Sequence, residues 1–203
     1  LGTAIAIAGA LVCMMIAAEV PWRYLGVCMG LGLAGIAAMI AVKPYRLLRI
    51  TSFLDPFADP LGTGYQVVQS LYALGSGWLF GVGLGASRQK LLYLPERHTD
   101  FIFSIIGEEL GFVGAAFVIL LFAMFIWRGF YIAAHLEDKF KSLTAFGLTA
   151  VIGIQAMINI GVAVGAMPVT GITLPFISYG GTSLSFMLAT VGFLLNLSRY
   201  MKH

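Results

Sequence analysis

Apolar residues in this chain do not alternate with polar ones; they run on. Uninterrupted stretches occupy 1–18, 24–42, 101–127 and 143–165, and a fifth, 183–197, continues a segment of small residues. A helix that crosses hydrocarbon needs roughly 17 to 25 mostly apolar residues. Strands of a membrane barrel instead alternate with period two in ~10-residue segments. The pattern therefore predicts an all-α fold: a polytopic membrane protein with five transmembrane helices in one domain over 1–203, and a long loop at 43–100.

That loop has a pattern of its own. Asp55-Pro56 and Asp59-Pro60 are stop signals, because a residue before proline is pushed out of the α region. From Tyr65 to Trp78 the polar Gln66, Gln69 and Ser70 fall opposite Val68, Leu71 and Leu74. This predicts a short amphipathic helix that lies at the membrane surface or re-enters it. Gly81, Gly83 and Gly85 follow; they allow close backbone approach or positive φ, and they equally suit a flexible connector.

Composition agrees with the helical reading. With 60% hydrophobic and 10% charged residues, a chain of 203 residues carries more apolar surface than one soluble core can bury. Cys13 and Cys28 both fall inside expected helices, so they make no disulfide or metal-ligand spacing and are read as packing residues. A formal charge of +3 with dispersed basic residues gives no footprint for nucleic acid. The chain opens without Met, inside an apolar run and with no charged leader, as expected of a fragment.

Charge also orients the helices. If five spans alternate, Arg23, Arg128, Lys139, Lys141, Arg199 and Lys202 share one side, and Lys43, Arg46, Arg49, Arg88, Lys90 and Arg97 share the other. The positive-inside rule weighs short loops over long ones. The short loops and the tail carry the first set, and the short 166–182 connection opposite has no Lys or Arg. The 43–100 loop is therefore expected outside the cytoplasm, where orientation gives no reason for its cations.

Candidate chemistry begins at PERHTDFIF, residues 95–103, where four ionisable groups crowd the mouth of an apolar helix. Asp100 or Thr99 can cap that helix. On a helical wheel, Ser104, Gly107, Gly111, Gly114 and Ala115 lie within roughly 60° of Asp100, so the carboxylate stands above a stripe of small residues. The stripe has two readings: a GxxxG packing face, or a slot for a lipid chain. Glu108 and Glu109 lie deeper and about 80° and 180° from Asp100, so they cannot both join one site with it, and one of them is read as structural. A third constellation is TGITLPFISYGGTS, 170–183, where Gly180 and Gly181 lead into a helix that Thr182 or Ser183 can cap. The free N–H groups of such a turn can hold phosphate. Gln155 and Asn159, one turn apart, are expected to bond neighbouring helices. His135 solvates a charged turn, while His98 either tunes Asp100, contacts a ligand or is solvated.

The stretches YLPERHTDFIFSIIGEELGF, GSGWLFGVGLGASRQK, INIGVAVGAMPVTGITLPFISYGG and the closing NLSRY resemble, in order and over nearly the whole chain, the SEDS family of bacterial cell-wall proteins, most closely its FtsW/SpoVE branch. Members have about ten spanning helices, which implies that this is a C-terminal half. The opening Leu-Gly-Thr is similar to the end of a family Pro-Asp-Leu-Gly-Thr motif.

The resemblance implies a peptidoglycan glycosyltransferase in the bacterial cytoplasmic membrane, polymerising lipid II on the extracytoplasmic face for division, cell shape or spore cortex. It also implies a single-pass class B transpeptidase as partner. The family's essential acid in His-Thr-Asp-Phe matches Asp100. Glycosyl transfer needs a base for the acceptor hydroxyl and positive charge for the departing diphosphate. The expected assignment makes Asp100 the base, with Arg88, Lys90, Arg97, His98, Arg46, Arg49, Ser178, Gly180 and Gly181 on the diphosphate and Glu96, Thr99 and Glu108 in support. A divalent cation, Mg or Mn, is a further candidate for neutralising the leaving group. Two other readings stand: a lipid II flippase, which needs the cations and groove but no base, and a membrane scaffold that recruits a transpeptidase. The fragment by itself is expected to be inactive.

Overall fold

The computed structural model describes residues 2–42, 53–87 and 100–201. Among them the regular elements are helices: α1 (Gly2–Ala17), α2 (Trp22–Val42), α3 (Tyr65–Ser76), α4 (Ile102–Ala134), α5 (Lys139–Ala163) and α6 (Gly181–Ser198). Five spans are expected; among the described residues three helices, α4, α5 and α6, are long and apolar enough to cross a membrane. α1, of 16 residues, is a shorter apolar helix. Where the sequence suggested an end at 127, α4 continues to Ala134. Where it suggested a start at 143, α5 begins at Lys139, because Asp138 caps it by accepting from the backbone N–H of Phe140 at 2.9 Å and of Lys141 at 3.4 Å.

The bundle is built around α5. Gly147 faces Met14 and Gly9 faces Ile154, while Gly129 faces Thr149 and Gly153 faces Ile126, so both α1 and α4 run antiparallel to α5 with small residues at the crossings. Apolar layers fill the interior. Phe101, Ile105, Ile158, Val162 and Ile172 close one end, Phe103, Phe122, Ala156 and Leu174 the middle, and Ile132, Leu136, Ala145 and Leu194 the other end. Trp22, Val27, Leu31 and Leu33 of α2 and Phe186, Leu188 and Phe193 of α6 are exposed, as hydrocarbon surroundings permit. Cys28 is likewise exposed and Cys13 half-buried, so the expected packing role does not extend to Cys28.

A break interrupts α4. Gly111 adopts φ 68°, ψ −168°, outside the helical region. In an unbroken helix the N–H groups of Phe112 and Val113 would bond the carbonyls of Glu108 and Glu109. Here Phe112 donates to Trp78 O (2.7 Å) and Val113 to Leu79 O (3.1 Å), while Glu108 O accepts from Val82 (2.9 Å) and Glu109 O from Gly83 (3.1 Å). The segment after α3 thus replaces two helical hydrogen bonds with four. Only glycine fits at the contact. A Cβ on Gly77 would strike the Gly107 carbonyl, and one on Gly81, at φ 79°, would strike Glu109 O and Gly111 N.

Candidate functional site

Asp100 is half-buried at the turn that leads into α4. Phe101, fully buried, holds the cap position of α4 and itself supplies no capping side chain. The expected N-cap at Asp100 or Thr99 is therefore displaced by one residue, because burial of Phe101 sets where the helix starts. The Asp100 backbone carbonyl accepts from Asn159 Nδ2 at 2.8 Å, and the same Nδ2 donates to Ile172 O at 2.7 Å. Gly171, with φ 75°, lies beside the carboxylate: a Cβ there would sit 3.7 Å from Asp100 Oδ2. Three elements thus meet at Asp100, namely the start of α4, the face of α5 and the connection between α5 and α6. The first residue of α1 joins them, since a Cβ on Gly2 would press on Thr170 and Ile172.

The small-residue stripe below Asp100 is occupied by protein. Gly107 lies against Leu74 and Gly77, and Gly111 against Leu79 and Gly81. The packing reading holds and the lipid slot does not, because the break at Gly111 also takes Gly114 and Ala115 out of phase with Asp100. An open, predominantly apolar groove of about 420 Å³ lies elsewhere, between α4 and α5, lined by residues including Phe122, Ala156, Ile160 and Met167.

Ser70 corrects the amphipathic reading of α3. Expected on the polar outer face, it is fully buried, 2.5 Å from Ser104 Oγ and donating to Ala163 O at 2.6 Å. One hydroxyl therefore ties α3 to both α4 and α5. Val67, Val68 and Ala73 are buried with it, so this face of α3 packs into the bundle.

Glu108 is buried and accepts from the Ser87 hydroxyl; Glu109 is half-buried, and its backbone carbonyl takes part in the repair of the α4 break. Ser178 Oγ accepts from Leu174 N–H at 2.7 Å and so closes the turn through Pro175 and Phe176. Gly180 is the cap residue of α6 and supplies no capping side chain; Thr182 and Ser183, expected as caps, already lie inside a helix that starts at Gly181. Arg46, Arg49, Arg88, Lys90, Glu96, Arg97, His98 and Thr99 lie outside the described residues. His135, at the far end of α4, bonds Tyr131 O at 2.9 Å and stacks on the Tyr131 ring. Among the described residues no three His, Cys, Asp or Glu side chains gather as metal ligands.

Asn159, expected to bond neighbouring helices, instead donates to the main-chain carbonyls of Asp100 and of Ile172 in the α5–α6 connection. Gly171 carried no signal beyond being a glycine.

A family model described as "Cell cycle protein", covering FtsW, RodA and SpoVE, matches residues 1–203. Stage V sporulation protein E of Bacillus subtilis (strain 168) is 57% identical over 173 residues, 85% of this chain and 47% of that protein. A probable peptidoglycan glycosyltransferase FtsW of Geobacter sp. (strain M18) is 43% identical over 205 residues, 100% of this chain and 55% of that protein. A solved chain from "Structural coordination of polymerization and crosslinking by a peptidoglycan synthase complex" superposes with a TM-score of 0.74 at 37% identity, covering 98% of this chain and 55% of that one. The chain spans about half the length of the curated relatives it matches.

Proposed function

The chain belongs to the FtsW/RodA/SpoVE family, and from that premise we propose that it carries the acid of a peptidoglycan glycosyltransferase that polymerises lipid II. The acceptor sugar hydroxyl attacks the anomeric carbon of the donor. The bond from that carbon to the diphosphate oxygen breaks, undecaprenyl diphosphate leaves, and the hydroxyl proton passes to the Asp100 carboxylate. Proton abstraction late along a dissociative path demands little basicity of that carboxylate.

The observation that carries this reading is the environment of Asp100: a half-exposed acid whose main chain is clipped to α5 and whose carboxylate faces a glycine. That arrangement fixes the acid relative to the bundle and leaves it partly exposed. The cations Arg88, Lys90, Arg97, Arg46 and Arg49, with His98, would meet the diphosphate, supported by the Gly180-Gly181 start of α6 and by Ser178. Glu96, Thr99 and Glu108 would support the acid. A divalent cation, Mg or Mn, would help neutralise the leaving group; among the described residues no three His, Cys, Asp or Glu side chains gather to hold one.

We place the site on the extracytoplasmic face of the bacterial cytoplasmic membrane, with five spans and the partner a class B transpeptidase. Segment 78–83 meets α4 about 14 Å below its start. No charged residue occurs from 60 to 87, and Trp78, Phe80 and Leu84 are all at least 80% exposed. These features favour re-entry into the outer leaflet over a position on its surface, since irregular backbone at such depth is tolerated where protein satisfies it. The test is lipid II polymerisation by the full-length protein with its transpeptidase partner. Asp100→Asn is expected to abolish glycan strands and to leave lipid movement across vesicles unchanged; undiminished polymer from that variant overturns the assignment.

A further inference from the structure

Asn159 is 1% exposed on an otherwise apolar stretch of α5, and its two short hydrogen bonds both go to main-chain carbonyls outside the helices. One acceptor is Asp100 itself. The other is Ile172, the residue after the glycine that faces the Asp100 carboxylate. The same amide nitrogen therefore fixes the main chain from which the acid hangs and the wall the acid faces. Phe101 and Ile172 bury in one cluster with Ile158 and Val162, the apolar residues flanking Asn159 on α5. Among the described residues the Asn159 Oδ1 meets no donor. An amide is thus kept in an apolar layer for its N–H groups alone, although its oxygen goes unpaired there.

We propose that Asn159 is the positioning residue for Asp100: it sets the height and direction of the carboxylate over Gly171 without touching substrate. The inference deepens the reading of Asp100 as the base and rests on it for its kinetic consequence. Displacement of a catalytic group by about 1 Å costs on the order of 100-fold in rate. Loss of the Asn159 amide should therefore appear in kcat and not in KM, because lipid II is held by other groups.

The test uses the full-length protein with its partner, with Asn159→Leu compared against Gln155→Leu, one turn away on the same helix. Asn159→Leu is expected to fold and to lose about 10- to 100-fold in kcat with KM within about twofold, while Gln155→Leu stays within about twofold in both. A second readout does not depend on chemistry. In an Asp100→Cys background, Asn159→Leu should change the rate of thiol modification by a water-soluble maleimide at least about threefold, and Gln155→Leu should not. Unchanged kcat, a loss confined to KM, or an unchanged modification rate overturns the proposal. If Asp100→Asn still polymerises lipid II, the base reading fails, and the positioning role is then decided by the modification rate alone. Should Asn159→Leu not fold, Asn159→Ser, smaller and with one donor, is measured in its place; it should lose kcat and shift the modification rate in the same direction, and wild-type values in both overturn the inference.

Discussion

Two interruptions of the same helix, about three turns apart, are held by opposite means. Where α4 begins, a side chain reaches in: Asn159 donates to the carbonyls of Asp100 and Ile172. At Gly111 no side chain takes part, and main chain meets main chain, residues 78–83 exchanging four hydrogen bonds with 108–113. The first junction depends on one amide. The second tolerates many chemistries and depends on the absence of Cβ atoms at Gly77, Gly81 and Gly111. One arrangement suits a group that must be aimed, the other a joint that must be closed.

Variants at each junction can break this contrast. The largest expected effect is on activity: Asp100→Asn should lower polymerisation by about 10²- to 10⁴-fold, the range for a general base, without changing the melting temperature of the purified protein. A melting temperature that falls with activity would place Asp100 in the joint class. Next, Gly111→Val puts a branched side chain at φ 68° and against the Leu79 and Gly81 main chain. It should cost about 3 kcal/mol or more, read as lost folded yield and a lower melting temperature in detergent. If it is tolerated, the α4 break is not fixed by backbone approach. Gly77→Ala, with a smaller Cβ against Gly107 O, should cost about 1–3 kcal/mol by the same assay. Smallest is Ser70→Ala, which leaves Ala163 O and Ser104 without this partner and should cost about 1–2 kcal/mol while the kcat of the folded fraction is retained.

Much of this was legible from residue order. Long apolar runs mark α4, α5 and α6 because hydrocarbon forces helices to satisfy their own main chain. The motif around Asp100 marks the acid, and Gly107 and Gly111 mark a packing face. What could not be read is where long-range partners override local pattern. The partner of Gly111 lies about 30 residues upstream in the chain, and nothing within α4 announces it. Ser70 counts as polar and was set facing out, but Ser104 and Ala163 satisfy it inside. Arg128 looked like a boundary; its guanidinium lies 5.5 Å from the Tyr131 ring centre on the same helix, which runs on past it.

The repair of α4 has a consequence in time. A ribosome delivers the repairing strand before the helix it mends: Glu108 follows Val82 by 26 residues (108 − 82). At about 5–20 residues per second that gap is on the order of 1–5 s. During it the amides of Val82 and Gly83 and the carbonyls of Trp78 and Leu79 wait for acceptors and donors that have not yet been made. A translational pause within 84–107 lengthens the interval in which these main-chain groups stay unpaired.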